Sequence, residues 1–271
     1  MNIRITLLLS VLAVMPAYAQ QLGPSEILAR AVEINERDWE EAQNYDYYER
    51  EEDGGKVKTY HVVMLANSPF SRLVAISDQP LSADEEAKEQ QRFENTASER
   101  QRETAATRER RISRYRKERE RDRVLMTEIT RALEFTLASR ETVSGHEVYV
   151  LKGMPRRGYR PVNEETKALT GMRGTLWIDA VNFHWVKAEA EVVGPVWIDG
   201  FVARVQPGTR FVLEQTPVAD GLWLPHHYSM QARAKVLFLF SYHSQEESTY
   251  FGYHKRGPAP VHMALGKQTH E

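Results

Sequence analysis

Apolar positions along this chain recur with two different periods, and the places where the period changes mark the elements. From Met172 to Tyr253 short runs of β-branched, aromatic and apolar residues are cut by turn chemistry. Phe183 to Val193 alternates: Val186, Ala188, Ala190 and Val192 fall on one face, and Trp185, Lys187, Glu189 and Glu191 on the other. A period of two over this length predicts a half-buried antiparallel strand. Before it, Thr175 to Ile178, including Trp177, suits a pleated surface, and Asp179-Ala180-Val181-Asn182 supplies turn-prone side chains. After it, Thr209 to Gln215 is strand-like with Phe211 and Leu213 facing together, and Pro225 marks a strand start or edge beyond Trp223. Tyr228, Met230, Ala232 and Ala234 then share a face. Val236 to Phe240 does not alternate, which suits a strand covered on both faces or an apolar loop at a sheet rim. Tyr242 to Tyr253 reads as a last strand. Short turns between successive strands imply a meander and antiparallel pairing.

The N-terminal half mixes periods. Ile27, Ala31 and Ile34, with Leu28 and Val32 beside them, form a helical stripe that starts at Pro24-Ser25-Glu26 and runs to about Ala42. Asn44 to Glu52 and Lys56 to Leu65 flank Asp53-Gly54-Gly55 as a hairpin, and Phe70 to Ser77 follows as a third strand. Ser82-Ala83-Asp84-Glu85 is a capping box. It opens a segment from Ser82 to about Arg123 in which Phe93, Ile112 and Tyr115 are the only large apolar side chains. Acidic residues dominate its start and arginines its end, a pattern that persists as a solvated helix on ion pairs four residues apart. Val124, Leu125, Ile129, Leu133 and Phe135 return the chain to a core. Leu133 to Val143 changes from helix to strand, and His146 to Gly153 is a strand with Val148 and Val150 on one face. Pro155 to Lys167 is a basic loop that carries Arg156 and Arg157.

The first residues change the picture of where this chain works. Arg4, the apolar run Ile5 to Met15 and Ala17-Tyr18-Ala19 fit an exported precursor cleaved after residue 19. The run is too short to span a bilayer, so no transmembrane segment is expected in the mature chain. Residues 20–256 are then expected to form one domain with 82–123 as a charged helical insert, and 257–271 a flexible tail. The chain of 271 residues has no cysteine, which removes disulfides and thiolate chemistry. A formal net charge of −2 favours no polyanionic partner such as nucleic acid.

Candidate chemistry is sparse. No Gly-rich phosphate loop, nucleophile elbow or His-Glu-x-x-His signature occurs. His226-His227, with His243 near it if their strands pair, lacks an evident third ligand, so neither metal nor cofactor is expected. Asp179 reads as a backbone cap. No nucleophile–base set can be assembled, and a catalytic role is not expected.

Taken together, several segments resemble the outer-membrane lipoprotein-sorting (LolA-like) family of periplasmic proteins. The resemblance is carried by the helix around Ser25-Glu26-Ile27-Leu28 after a leader, by Gly174-Thr175-Leu176-Trp177-Ile178-Asp179, and by the strand holding Lys187, Glu189 and Glu191. Gly221-Leu222-Trp223-Leu224-Pro225 and Tyr250-Phe251-Gly252-Tyr253 complete it. It implies an α+β fold: a strongly curved antiparallel sheet, an open half-barrel, with helices over its concave face and acyl chains held between. The cavity is then expected to be lined by Trp177, Val186, Ala188, Ala190, Phe211, Leu213, Trp223, Tyr228, Met230 and Ala232. Arg108, Arg110, Arg111, Arg114, Arg156 and Arg157 are the expected contacts to headgroups or to a partner. The leading expectation is a non-enzymatic periplasmic binding protein for lipid or lipoprotein acyl chains. The alternative is an envelope sensory or protein-interaction module acting through the charged helix 82–123.

Overall fold

The computed structural model of the protein describes residues 22–198, 203–236 and 240–257. Residues 1–21, which include the expected leader, residues 199–202, the run Leu237 to Leu239 and the expected tail from residue 258 lie outside the described residues.

Among the described residues the chain forms an antiparallel sheet with three α-helices. The helix α1 (Pro24–Ala42) comes first, then strands β1 (Tyr45–Asp53), β2 (Lys56–Leu65), β3 (Ser68–Ile76) and β4 (Gln79–Pro80). Helices α2 (Ala83–Arg102) and α3 (Ala105–Ala132) follow. Next come β5 (Leu133–Val143), β6 (His146–Pro155), a 3-10 turn (Glu165–Gly171), β7 (Met172–Asp179) and β8 (Trp185–Val192). The last are β9 (Val196–Ile198), β10 (Ala203–Val205), β11 (Arg210–Ala219), β12 (Leu222–Val236) and β13 (Phe240–Lys255). Strand order is β4-β3-β2-β1-β13-β12-β11-β8-β7-β6-β5, with β10 beside β12 and β9 beside β10. The path does not close, so β4 and β5 are free edges.

Helix contacts reveal the curvature. α1 packs on both β5 and β12, five strands apart in the order, so the sheet bends around it. α3 packs on β3 near one edge and on β5 at the other. Its 28 residues reach about 42 Å, long enough to lie as a bar across the mouth of the half-barrel.

Register shows how apolar content is distributed. Leu137, Leu151, Leu176, Ala188, Leu213 and Tyr228 are paired neighbours in one row across six strands, and the row continues as Ser248 and Glu51. Under α1 this face buries Leu151, Leu176, Tyr149, Ile178 and Trp185 against Ile27, Leu28 and Ala31. Towards β13 and β1 it turns polar. The β1–β2 hairpin turns on Gly54 and Gly55, both at positive φ, as its composition demands.

Two features differ from the sequence pattern. A bulge where Ile178 meets Trp185 breaks the alternation of β8. Trp185 joins the helix-facing core with Ala188, while Val186 packs with Val148, Val150 and Trp223. Trp177 packs with that second cluster too, because its neighbours Leu176 and Ile178 take the helix-facing side.

The charged segment is also two helices, not one, and the second runs on to Ala132. The capping box at Ser82 and Glu85 starts α2, but Glu103 is extended and Thr104 caps α3 through the amide of Thr107. Nor are these helices merely solvated. Arg100 donates to the carbonyls of Leu65, Ser68 and Pro69 at 2.7, 3.0 and 3.2 Å. Phe93 meets Phe70 edge-on at 5.5 Å, and Ile112 is buried. Arginines thus satisfy carbonyls at the β2–β3 turn that few apolar contacts would otherwise cover.

Candidate ligand cavity

A cavity of about 430 Å³ lies between the helices and the sheet. Its helical wall is Asn35, Trp39 and Ala42 of α1 with Tyr115, Arg119 and Met126 of α3. Its floor is Tyr45, Tyr47, Val62, Leu213, Leu224, Tyr250 and Tyr253, from β1, β2 and β11–β13. The floor is apolar and aromatic because row positions on these strands face α1 and α3 without meeting a filled helix stripe. Tyr47 lies 5.9 Å from the Tyr250 ring and 5.5 Å from the Tyr253 ring. Burial pushes all three phenols above their ordinary pKa. The Tyr253 hydroxyl donates to Pro225 O at 2.6 Å. Beyond Tyr250, Glu49 has its carboxyl pushed up by burial and by the like charge of Glu51.

The rim on α3 is polar. Arg119 lies over the Trp39 ring at 4.5 Å, with its guanidinium also donating to Trp39 O. Asp122 beside it has its pKa raised, chiefly by burial. A more open cleft of about 650 Å³ shares Trp39, Gln43, Met64, Tyr115 and Arg119 with the cavity. It adds Arg116, Arg123 and Arg256 together with Glu40 and Glu120. An apolar chamber therefore adjoins a guanidinium-rich vestibule.

One end of the chamber is set by a buried polar network. Asp38 and His184, each 2 % exposed, meet at 2.7 Å through Oδ2 and Nδ1. Asp38 Oδ2 also accepts from the Trp223 amide at 3.3 Å, and Oδ1 from Arg37 at 3.2 Å. The Trp223 ring stacks on His184 at 5.4 Å and meets His146 edge-on at 4.7 Å. His146 in turn lies 3.1 Å from Asp179. Asp179 Oδ1 accepts the amides of Val181 and Asn182, the backbone cap its turn position suggests. These contacts pin α1 to the starts of β6, β8 and β12.

Of the residues expected around a cavity, Leu213 and Trp223 line this one. Ala188 packs on the Ile27 cluster, and Ala190 and Phe211 pack on the cluster of Ala132, Leu169, Met172, Val192 and Val196. Tyr228 and Met230 pair with Leu213 and Phe211 and so share their face, as does Ala232 two residues on, all half-buried outside the chamber. Trp177 and Val186 stand apart in the Val148 cluster.

The six arginines divide similarly. Arg111 is largely enclosed and bonds Glu103, Ala66 O and Ser68 Oγ. Arg156 donates to Leu133 O at 3.3 Å yet is exposed, as are Arg108, Arg110, Arg114 and Arg157. Sequence reasoning missed Trp39, Tyr47, Tyr250, Tyr253 and Met126 as lining. The repeat Ile27, Ala31, Asn35, Asp38 did carry a signal, since polar residues continue a buried helical stripe. Among the described residues no three His, Asp or Glu side chains converge as metal ligands, and His227 pairs with Glu247 at 3.1 Å. No helix among them is long and apolar enough to cross a membrane.

No family model matches the sequence, nor does any curated protein. Solved structures similar to this one include a LolA superfamily protein from Nitrosomonas europaea. It is 14 % identical with a TM-score of 0.34, over 88 % of this chain and 95 % of that one. A DUF1329 family protein from Desulfovibrio piger is 12 % identical with a TM-score of 0.30, over 84 % and 91 % of the two chains. A putative outer membrane lipoprotein-sorting protein domain from Vibrio parahaemolyticus is 9 % identical with a TM-score of 0.32, over 84 % and 92 %.

Proposed function

We propose that this protein is a non-enzymatic binding protein of the periplasm that holds the acyl chain of a lipid or lipoprotein between α1, α3 and the sheet. The observation that carries the reading is the 430 Å³ chamber walled by Trp39, Val62, Met126, Leu213 and Leu224. That volume lies within the range of small-molecule sites. The guanidinium-rich vestibule beside it suits the polar end of the same amphiphile, so tail and head would be met by different chemistry. The sequence resemblance to lipoprotein-sorting proteins points the same way, and the leader-like N-terminus agrees with export.

Burial of ten methylenes would supply about 8 kcal/mol, which corresponds to a dissociation constant of about 1 μM before association costs are subtracted. About 1 μM is therefore the tightest affinity such a chain could reach, and saturation is to be sought from there up to about millimolar concentration. The test is titration with a fatty acid carrying an environment-sensitive fluorophore. Saturable binding is expected for the native chain, together with at least a tenfold weakening in Leu213→Trp, whose ring would occupy the chamber. Absence of saturable binding by the native chain would remove the carrier role.

A further inference from the structure

We propose that the outward face of α3 is a docking surface for an anionic lipid bilayer, which brings the cavity mouth to the headgroup layer. The inference is electrostatic and rests on where α3 lies, and it extends the acyl-carrier reading without needing it.

α3 holds ten Lys and Arg against five Asp and Glu, a net charge of +5 in a chain whose total is −2. The positive charge is thus concentrated on one helix. That helix crosses the opening of the half-barrel from β3 to β5, so its outer side is what a flat surface would meet. Its inner side faces the chamber through Tyr115, Arg119, Asp122 and Met126.

Arg110, Arg114, Lys117 and Arg121 are all exposed and follow one another at steps of four, three and four residues. At 3.6 residues per turn they fall within a sector of about 60° and extend along about 16 Å of helix. Glu109 and Glu118 flank this sector in the same surface groove, with Ala106 and Ser113 between the cations. No aromatic or large aliphatic side chain stands among them. A protein partner of high affinity needs such anchors at the centre of its interface, whereas attraction of a basic row to anionic lipid does not. Charge complementarity therefore favours a bilayer over a protein.

The test is co-sedimentation of the mature protein with vesicles of pure phosphatidylcholine and with vesicles about one-third phosphatidylglycerol, at low and at high salt. Binding is expected only to the anionic vesicles and is expected to fall steeply with salt. The triple variant Arg110→Glu, Arg114→Glu, Lys117→Glu should lose at least about 100-fold in partitioning, since removal of the three cations alone accounts for that and reversal adds repulsion. Lys152→Glu, an exposed cation on the face of β6 turned away from the helices, should bind within about twofold of the native chain. Uptake of the fluorescent fatty acid from solution should be unchanged in the triple variant, so failure of the cavity reading and of the docking surface are told apart. Equal binding to neutral vesicles would overturn the proposal. So would native-like binding by a triple variant whose circular dichroism matches the parent, or a salt-resistant protein complex formed through this face in place of vesicle binding.

Discussion

Asp38 offers the sharpest test of how the chamber is held open. Replacement by alanine removes the acceptor for His184 Nδ1 at 2.7 Å and for the Trp223 amide at 3.3 Å, in a site where Asp38 and His184 are each 2 % exposed. The orphaned donors cannot reach water. Each unsatisfied buried group costs about 1–3 kcal/mol, so the sum is about 3 kcal/mol once some relaxation is allowed. At roughly 2–4 °C per kcal/mol for a domain of this size, the thermal midpoint should fall by about 6–12 °C. Asp38→Asn keeps one acceptor and nearly the same volume, and should lose about 1 kcal/mol. Urea unfolding followed by Trp fluorescence measures both. Because Asp38 ties α1 to β8 and β12, Asp38→Ala should weaken uptake of the fatty-acid probe even under conditions where the protein remains folded. A loss below about 1 kcal/mol for the alanine variant would refute the claim that this network carries the seat of α1.

Three further outcomes follow from the packing and charges. Phe70→Ala removes the ring against which Phe93 and Arg92 pack; it should destabilise by about 3–5 kcal/mol and expose the α2 amides to hydrogen exchange before those of α3. The Arg111 guanidinium holds the Glu103 carboxyl below its ordinary pKa. Its contribution is complete above the ordinary carboxylate pKa and lost as pH falls through the depressed one, so acid should loosen the α2–α3 junction in the native chain and less so in Glu103→Gln, read by exchange at residues 100–108. Glu49 has the opposite sign. Its raised pKa means its contribution is greatest at low pH and declines as pH rises from the ordinary value through the raised one, so Glu49→Gln should be more stable than the native chain at neutral pH in urea titrations.

Several of these features were legible in the residues. Period two placed Ala188, Ala190, Phe211, Leu213, Tyr228, Met230 and Ala232 on one face, because cross-strand register preserves sidedness. Turn and cap chemistry marked the Gly54-Gly55 hairpin and the Ser82 capping box. Val186 escaped because one extra residue at a bulge reverses which side a strand position takes, and no local signal announces it. The Asp38–His184 contact spans 146 residues of sequence, and nothing near either residue forecasts the other. Thr104 was a readable cap whose weight was hidden by the unbroken run of charges around it. The chamber itself depends on α3 crossing from β3 to β5, a tertiary event that periodicity cannot express. Its lining is therefore drawn from β1, β2 and β13 as much as from the strands that alternate most clearly.

Occupancy of the chamber can be read from inside it. Trp39 and Trp223 line the cavity, and Trp177, which packs beside Trp223 in the Val148 cluster, does not. A dibrominated fatty acid quenches tryptophans that it touches, so titration of the native chain should quench the emission saturably. In Trp39→Phe/Trp223→Phe most of that quenching should disappear while the fluorescent probe still binds. Quenching that never saturates, or that survives undiminished in the double variant, would contradict an acyl chain held between α1, α3 and the sheet.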